Sequence, residues 1–141
     1  QAWRDPYIGR RRETGFGLYG LLGIDRHDAP AVQAYRVLNY QFFGAPVALF
    51  FTIDRDMEQG SWVDYGMFLQ SLMLAAREQG LETCAQAAFC PYYDSVMPIL
   101  GAPPEQMLVC GMSIGYADPD AVINEYRTSR LSVDVFRTRL S

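Results

Sequence analysis

Gly80-Leu-Glu-Thr-Cys-Ala-Gln-Ala-Ala88 lies between two stretches of helical character, a long apolar one before it and a shorter one entered through Phe89-Cys90-Pro91. Gly80 suits the left-handed residue that ends a helix. Beyond it, Ala85, Ala87 and Ala88 carry too little side chain to cover the backbone. An uncovered backbone just before a helix offers N–H groups to an electron-rich ligand, and a planar conjugated ligand needs both an open floor and a main-chain donor. A tight strand-to-helix connection, its alanines chosen for close packing, is the competing reading, and composition leaves both open.

Upstream, Trp62 to Gln79 is apolar around most of a helical circumference: Val63, Met67, Phe68, Leu69, Leu72, Met73, Leu74 and Ala76 leave a narrow polar set of Asp64, Gln70, Ser71, Arg77 and Glu78. Such a helix is expected to be buried, in the core or against a second subunit, with Ser61 as its cap. Before it, Pro46-Val-Ala-Leu-Phe-Phe-Thr-Ile53 is uninterrupted and rich in aromatic and β-branched residues, the pattern of a central strand covered on both faces. Asp28-Ala-Pro30 marks a helix start, continued from Ala31 to Phe42 and ended by Gly44. Residues 1 to 14 read as an arginine-rich arm or loop, and Gly15 to Ile24 as a short helix weakened by four glycines.

Downstream, Pro91 to Leu100 reads as a short helix ended by Gly101, and Met107-Leu-Val-Cys-Gly-Met-Ser-Ile-Gly115 as a second buried strand. Residues 117 to 141 read as an extended C-terminal arm with little core of its own. The whole is an α+β pattern, a small antiparallel sheet flanked by helices, in a single domain spanning 1–141.

Composition narrows the chemistry. Half of the 141 residues are hydrophobic and 13% are aromatic, which excludes a disordered tail. No apolar run approaches the ~18 residues of a membrane span, and a net charge of −4 argues against nucleic acid as the main partner. Cys84, Cys90 and Cys110 are odd in number and form no C-x-x-C pair, which fits a reduced, cytoplasmic protein. His27 is the only histidine, so there is no H-E-x-x-H zinc site, no metal is expected, and a Ser-His-Asp triad has poor support. All twelve basic residues are arginines, which excludes Schiff-base lysine chemistry and a lysine-containing P-loop. The chain opens on Gln1 with no signal-peptide pattern after it, and a longer gene product is the expectation.

Eight arginines sit at the two ends, four between positions 4 and 12 and four between 127 and 139. In Asn124-Glu-Tyr-Arg127-Thr-Ser-Arg130, two arginines three apart with hydroxyls between them make a phosphate clamp, since guanidinium and hydroxyl groups all donate to phosphate oxygens. A solvated arm is the alternative.

Taken together, these segments resemble the carboxy-terminal two-thirds of the flavin-dependent nitroreductase family. The resemblance rests on Phe43-Gly-Ala-Pro46 opening a strand, on Asp64-Tyr-Gly-Met-Phe-Leu-Gln-Ser-Leu-Met-Leu-Ala-Ala76 as the long helix, and on Gly80 to Ala88. Met107 to Tyr116 and Ser129-Arg-Leu-Ser-Val-Asp-Val-Phe136 follow in order. It implies a homodimer with FMN at the subunit interface, passing electrons from NAD(P)H to nitroaromatic or quinone-like acceptors by a ping-pong mechanism. No side chain acts as catalytic acid or base in that scheme. It further implies that the backbone at Gln86, Ala87 and Ala88 approaches the flavin N5 side, that Arg130 and Arg127 reach the FMN phosphate, and that the C-terminal arm wraps the other subunit. The family's amino-terminal Arg-Arg-Ser-x-Arg helix has no counterpart here, and Arg10-Arg-Arg12 stands in a different place. A domain shortened at its amino terminus that holds FMN loosely is therefore expected. The alternative is a flavin-free relic or fragment serving as a small-ligand-binding or dimerisation module.

Overall fold

The computed structural model describes residues 3–139. They fall into two compact units, one drawn from the two ends of the chain, up to Val32 and from Pro119 on, the other running Gln33–Asp118.

The second unit holds the sheet. Strands β1 (Val47–Asp54), β2 (Glu82–Gln86) and β3 (Gln106–Gly115) lie in the order β1-β3-β2, with both pairs antiparallel. The expected α+β class with a small antiparallel sheet is what the chain adopts. The expectation that the Pro46–Ile53 stretch is central is corrected: β1 is an edge strand, and β3 takes the middle. An unbroken apolar run reports cover on both faces, and β1 has that, with Leu49 and Phe51 in one apolar cluster and Phe50 in the other. It says nothing about hydrogen-bonding neighbours on both sides.

Those clusters lie on opposite faces of β3. Cys110 and Met112 join Phe51 under one face, packed by Tyr65, Leu69, Leu72 and Met73. Leu108 belongs with Phe89 and Met97 on the other. Strict alternation puts residues 108 and 110 on the same side. The register explains the exchange: Phe51 pairs with Cys110 but Thr52 pairs with Leu108, so Val109 is an extra residue that turns the strand over. The Cys90 thiol donates to the Val109 carbonyl at 3.2 Å.

Helix α3 (Gln59–Glu78) supplies the first of these layers. It begins earlier than expected, and Ser61 is not its cap; the Trp62 N–H already donates to Glu58 O at 3.2 Å, closing a turn across Ser61. The Tyr65 hydroxyl donates to Thr52 O at 2.9 Å and fixes the helix on β1. Gly80 closes the helix at φ 75°, as its position implied. Of the two positions expected for α3, burial in the core of its own chain is not what it adopts: none of its residues is fully buried. Its Tyr65-Leu69-Leu72-Met73 stripe meets the sheet, while Val63, Met67 and Leu74 on the far side are 62%, 56% and 61% exposed.

The helix expected from Ala31 to Phe42 is split. Helix α2 (Ala29–Val37) receives the foreseen cap, with Ala31 N–H donating to Asp28 Oδ1 at 3.0 Å. It then tightens into a 3-10 helix, Leu38–Gly44. Past β2 comes another 3-10 segment, Ala87–Tyr92, and then α4 (Tyr93–Leu100), which ends at Gly101 with φ 62°.

In the first unit, the arm or loop expected at residues 1–14 is instead the start of α1 (Tyr7–Leu21). Pro6 stands just before the first turn, where a missing N–H costs nothing. The Arg10-Arg-Arg-Glu13 run favours a helix enough to carry scattered glycines at up to ~1 kcal/mol each. The guanidinium groups of Arg10 and Arg11 lie 5.7 and 5.2 Å from the ring centres of Tyr7 and Trp3. Residues after Pro119 hold a short 3-10 turn, Val122–Glu125, and α5 (Val133–Phe136). The Tyr126 hydroxyl donates to Thr14 O at 3.0 Å, beside Gly17, where any Cβ meets the Tyr126 ring.

Candidate functional site

Strand β2 delivers the Gln86–Ala88 main chain to the edge of the sheet. Its last residue, Gln86, pairs with Gly111 of β3, and the 3-10 segment opens at Ala87. Locally this is the tight strand-to-helix connection of the competing reading, and it has an open surface as well. Ala85 and Ala87 are exposed, Ala88 half-buried, and Gln86, the one large side chain among them, only 2% exposed. What remains outward is main chain and methyl groups. No acid or base stands in this loop, so it can bind and orient a flat ligand but not move a proton.

Beneath the loop is an aromatic cluster centred on Phe89. Its ring stacks on Phe42 with 5.0 Å between centroids and meets Phe50 and Tyr40 edge-on at 5.1 and 5.4 Å. Gly111 is required here, because a Cβ at that position would lie 2.8 Å from the Phe89 ring. From the other side comes the Leu38–Gly44 segment. Gln86 Nε2 donates to Asn39 O at 2.8 Å, and the Tyr40 hydroxyl donates to Ala88 O at 3.3 Å. Desolvation and then the adjacent Tyr92 hydroxyl push the Tyr40 phenol above its usual pKa. Phe42 and Phe43 both take left-handed backbone, φ 52° and 54°, at a cost of about 1–2 kcal/mol each for bulky L-residues. Such strain persists only where surrounding contacts enforce it.

Asn39, Tyr40 and Phe42 are therefore part of this site, and the sequence did not mark them; the helical pattern continues smoothly through them. Gln86 was expected for its backbone alone, and its buried side chain carries no sequence signal.

Arg127 and Arg130 both belong to the other unit and are both exposed. Their guanidinium groups are occupied locally. Arg127 Nη1 donates to Asn124 O at 2.6 Å and Tyr126 O at 3.1 Å, and Arg130 Nη1 donates to Ser129 O at 3.0 Å and to the Thr128 hydroxyl.

Burial raises all three thiols above their ordinary range; the Ser113 hydrogen bond partly offsets this at Cys84, and the neighbouring Cys90 adds to it at Cys110. A raised pKa lowers the thiolate fraction at neutral pH. Alkylation at pH 7 is accordingly expected to be slower than for free cysteine and to keep accelerating above pH 9. The exposed Cys84 reacts first and the buried Cys110 only on unfolding. Rapid labelling of Cys110 in the folded protein at pH 7 contradicts this. Among the described residues no group of three or more His, Cys, Asp or Glu can hold a metal, and no helix is long and apolar enough to cross a membrane.

The sequence model of the nitroreductase family matches residues 11–116. The chain belongs to the nitroreductase family. It is 45% identical over 124 residues to a 4-nitrobenzoate reductase of Pseudomonas putida, covering 88% of this chain and 55% of that protein. Among solved structures, the FMN- and NADPH-dependent nitroreductase NfnB of Sphigopyxis sp. strain HMH superimposes with TM-score 0.95 at 38% identity, over 100% of this chain and 63% of that one. The FMN-dependent NfnB of Mycobacterium smegmatis, solved in complex with NADPH, does so with TM-score 0.88 at 32% identity, over 100% and 65%. This chain thus spans just over half the length of the reductase from Pseudomonas putida and under two-thirds of either NfnB.

Proposed function

We propose that this nitroreductase-family chain serves an FMN-dependent oxidoreductase that passes electrons from NAD(P)H to nitroaromatic or quinone-like acceptors. The observation that carries the reading is the loop itself: Ala85 and Ala87 face outward while Gln86 turns inward, leaving main chain and methyl groups where a flat ring system needs an unobstructed floor. The residues present fit FMN in kind. Backbone at Gln86–Ala88 serves the ring, and the exposed Arg127 and Arg130 serve the phosphate. FMN held there would supply the redox chemistry, a relay of electrons from NAD(P)H to the acceptor in ping-pong order. The chain's own part is to bind, orient and exclude water, with no catalytic acid or base among its side chains.

Residues 1–141 act in this reading as one domain whose arm, 117–141, reaches a second copy in a homodimer. Three raised, unpaired thiols suit a reducing cytoplasm.

Flavin fluorescence titration tests the reading. Saturable FMN binding is expected, and its absence leaves the flavin-free small-ligand-binding or dimerisation module. Arg130→Ala is expected to weaken binding by ~10-fold or more, since a charged phosphate hydrogen bond is worth about 1.5–3 kcal/mol. Arg137→Ala is expected to change little; that side chain is engaged by Asp134 on the surface. Equal affinities of the two variants remove Arg130 from the phosphate site.

A further inference from the structure

Gln86 is nearly fully buried, yet its carboxamide is only half used. Nε2 donates to Asn39 O at 2.8 Å, whereas Oε1 accepts no hydrogen bond among the described residues. The donation fixes which end is nitrogen, because the Asn39 carbonyl only accepts. An unpaired buried carbonyl loses more than one neutral hydrogen bond returns, so an apolar side chain of similar size serves packing better. What a carboxamide alone provides here is the tie to Asn39.

That tie does not stand by itself. The next residue, Tyr40, reaches past it to Ala88 O at 3.3 Å and sets its ring edge-on to Phe89. Two adjacent residues of the Leu38–Gly44 segment therefore grip both ends of Gln86-Ala87-Ala88, across a sequence separation of 47 and 48 residues. Past Gln41 comes the strained pair Phe42 and Phe43.

We propose that Gln86 is a positioning residue: its carboxamide, with the Tyr40 hydroxyl, clamps the Gln86–Ala88 main chain to the Leu38–Gly44 segment and holds the loop in the one conformation that receives a flat cofactor. The clamp stands on geometry present in the chain; its consequence for the cofactor rests on the flavin reading above.

The test compares Gln86→Met, which keeps volume and removes the donor, with Tyr40→Phe and the double variant. Amide exchange is measured over residues 39–44 and 86–92 without ligand, together with thermal midpoints and FMN titration. Gln86→Met is expected to unfold at or above the parent temperature, because the orphan carbonyl is gone. It is also expected to exchange both segments about tenfold faster and to bind FMN about tenfold more weakly, as a loosened positioning group does. The double variant is expected to depart from additivity, since both ties hold one segment.

Unchanged exchange in Gln86→Met overturns the clamp whether or not flavin binds. Faster exchange with undiminished FMN affinity overturns the positioning role. Faster exchange when neither parent nor variant binds FMN upholds the clamp and overturns the flavin reading instead. Should Gln86→Met fail to fold, Tyr40→Phe carries the same readouts, and unchanged exchange there overturns the clamp.

Discussion

Phe89→Ala is expected to lower the unfolding free energy by about 3–5 kcal/mol, a large share of the ~5–15 kcal/mol that holds a typical domain together. The ring is 6% exposed and touches three others, so its loss removes buried area and a stacked and edge-on set worth roughly 0.5–1.5 kcal/mol per pair. Gly111, which makes room for the ring, cannot collapse into the space it leaves. Urea unfolding measures the effect as a lower midpoint at unchanged slope. A loss below ~1 kcal/mol is the size of an ordinary surface change and places the ring outside the core. The same substitution should cost flavin affinity, because Phe89 follows Ala88 directly.

The second large effect concerns association. Val63, Met67 and Leu74 fall at helical spacing on the side of α3 turned from the sheet, an exposed apolar stripe of the kind that marks an interaction surface. In the proposed homodimer this stripe meets a second copy over more than ~2,000 Å² in total. Met67→Glu with Leu74→Glu, placing carboxylates in that contact without partners, is expected to raise the dimer dissociation constant by ~1,000-fold or more. Circular dichroism should stay near that of the parent, since neither residue belongs to the intrachain clusters. Sedimentation of the parent at micromolar concentration reads the outcome. A stable, folded monomer there removes the dimer.

Much of this was written in the order of the residues. The apolar runs gave β1, β3 and α3 within a few residues of their bounds. Gly80 and Gly101 marked two helix ends, Asp28 a cap, and the spaced motifs from Phe43 to Phe136 the family. The elements, ends and cap each depend on neighbours within about ten residues, the range over which periodicity and capping act, and the family shows in the order of such local motifs along the chain. Arginine content misleads at α1, because charge suggests solvation where the side chains also stack on Tyr7 and Trp3.

The tertiary structure alone decided which strand is central, where Val109 turns β3 over, why Phe42 and Phe43 are left-handed, and that Gln86 points inward to Asn39. None of these is a local preference. Strand order follows from pairing β3 with partners far earlier in the chain, and strain at Phe42 is tolerable only because Phe50 and Phe89 pack its ring. Sequence determined the elements and the kind of loop; contacts between residues some fifty positions apart decided how that loop is held.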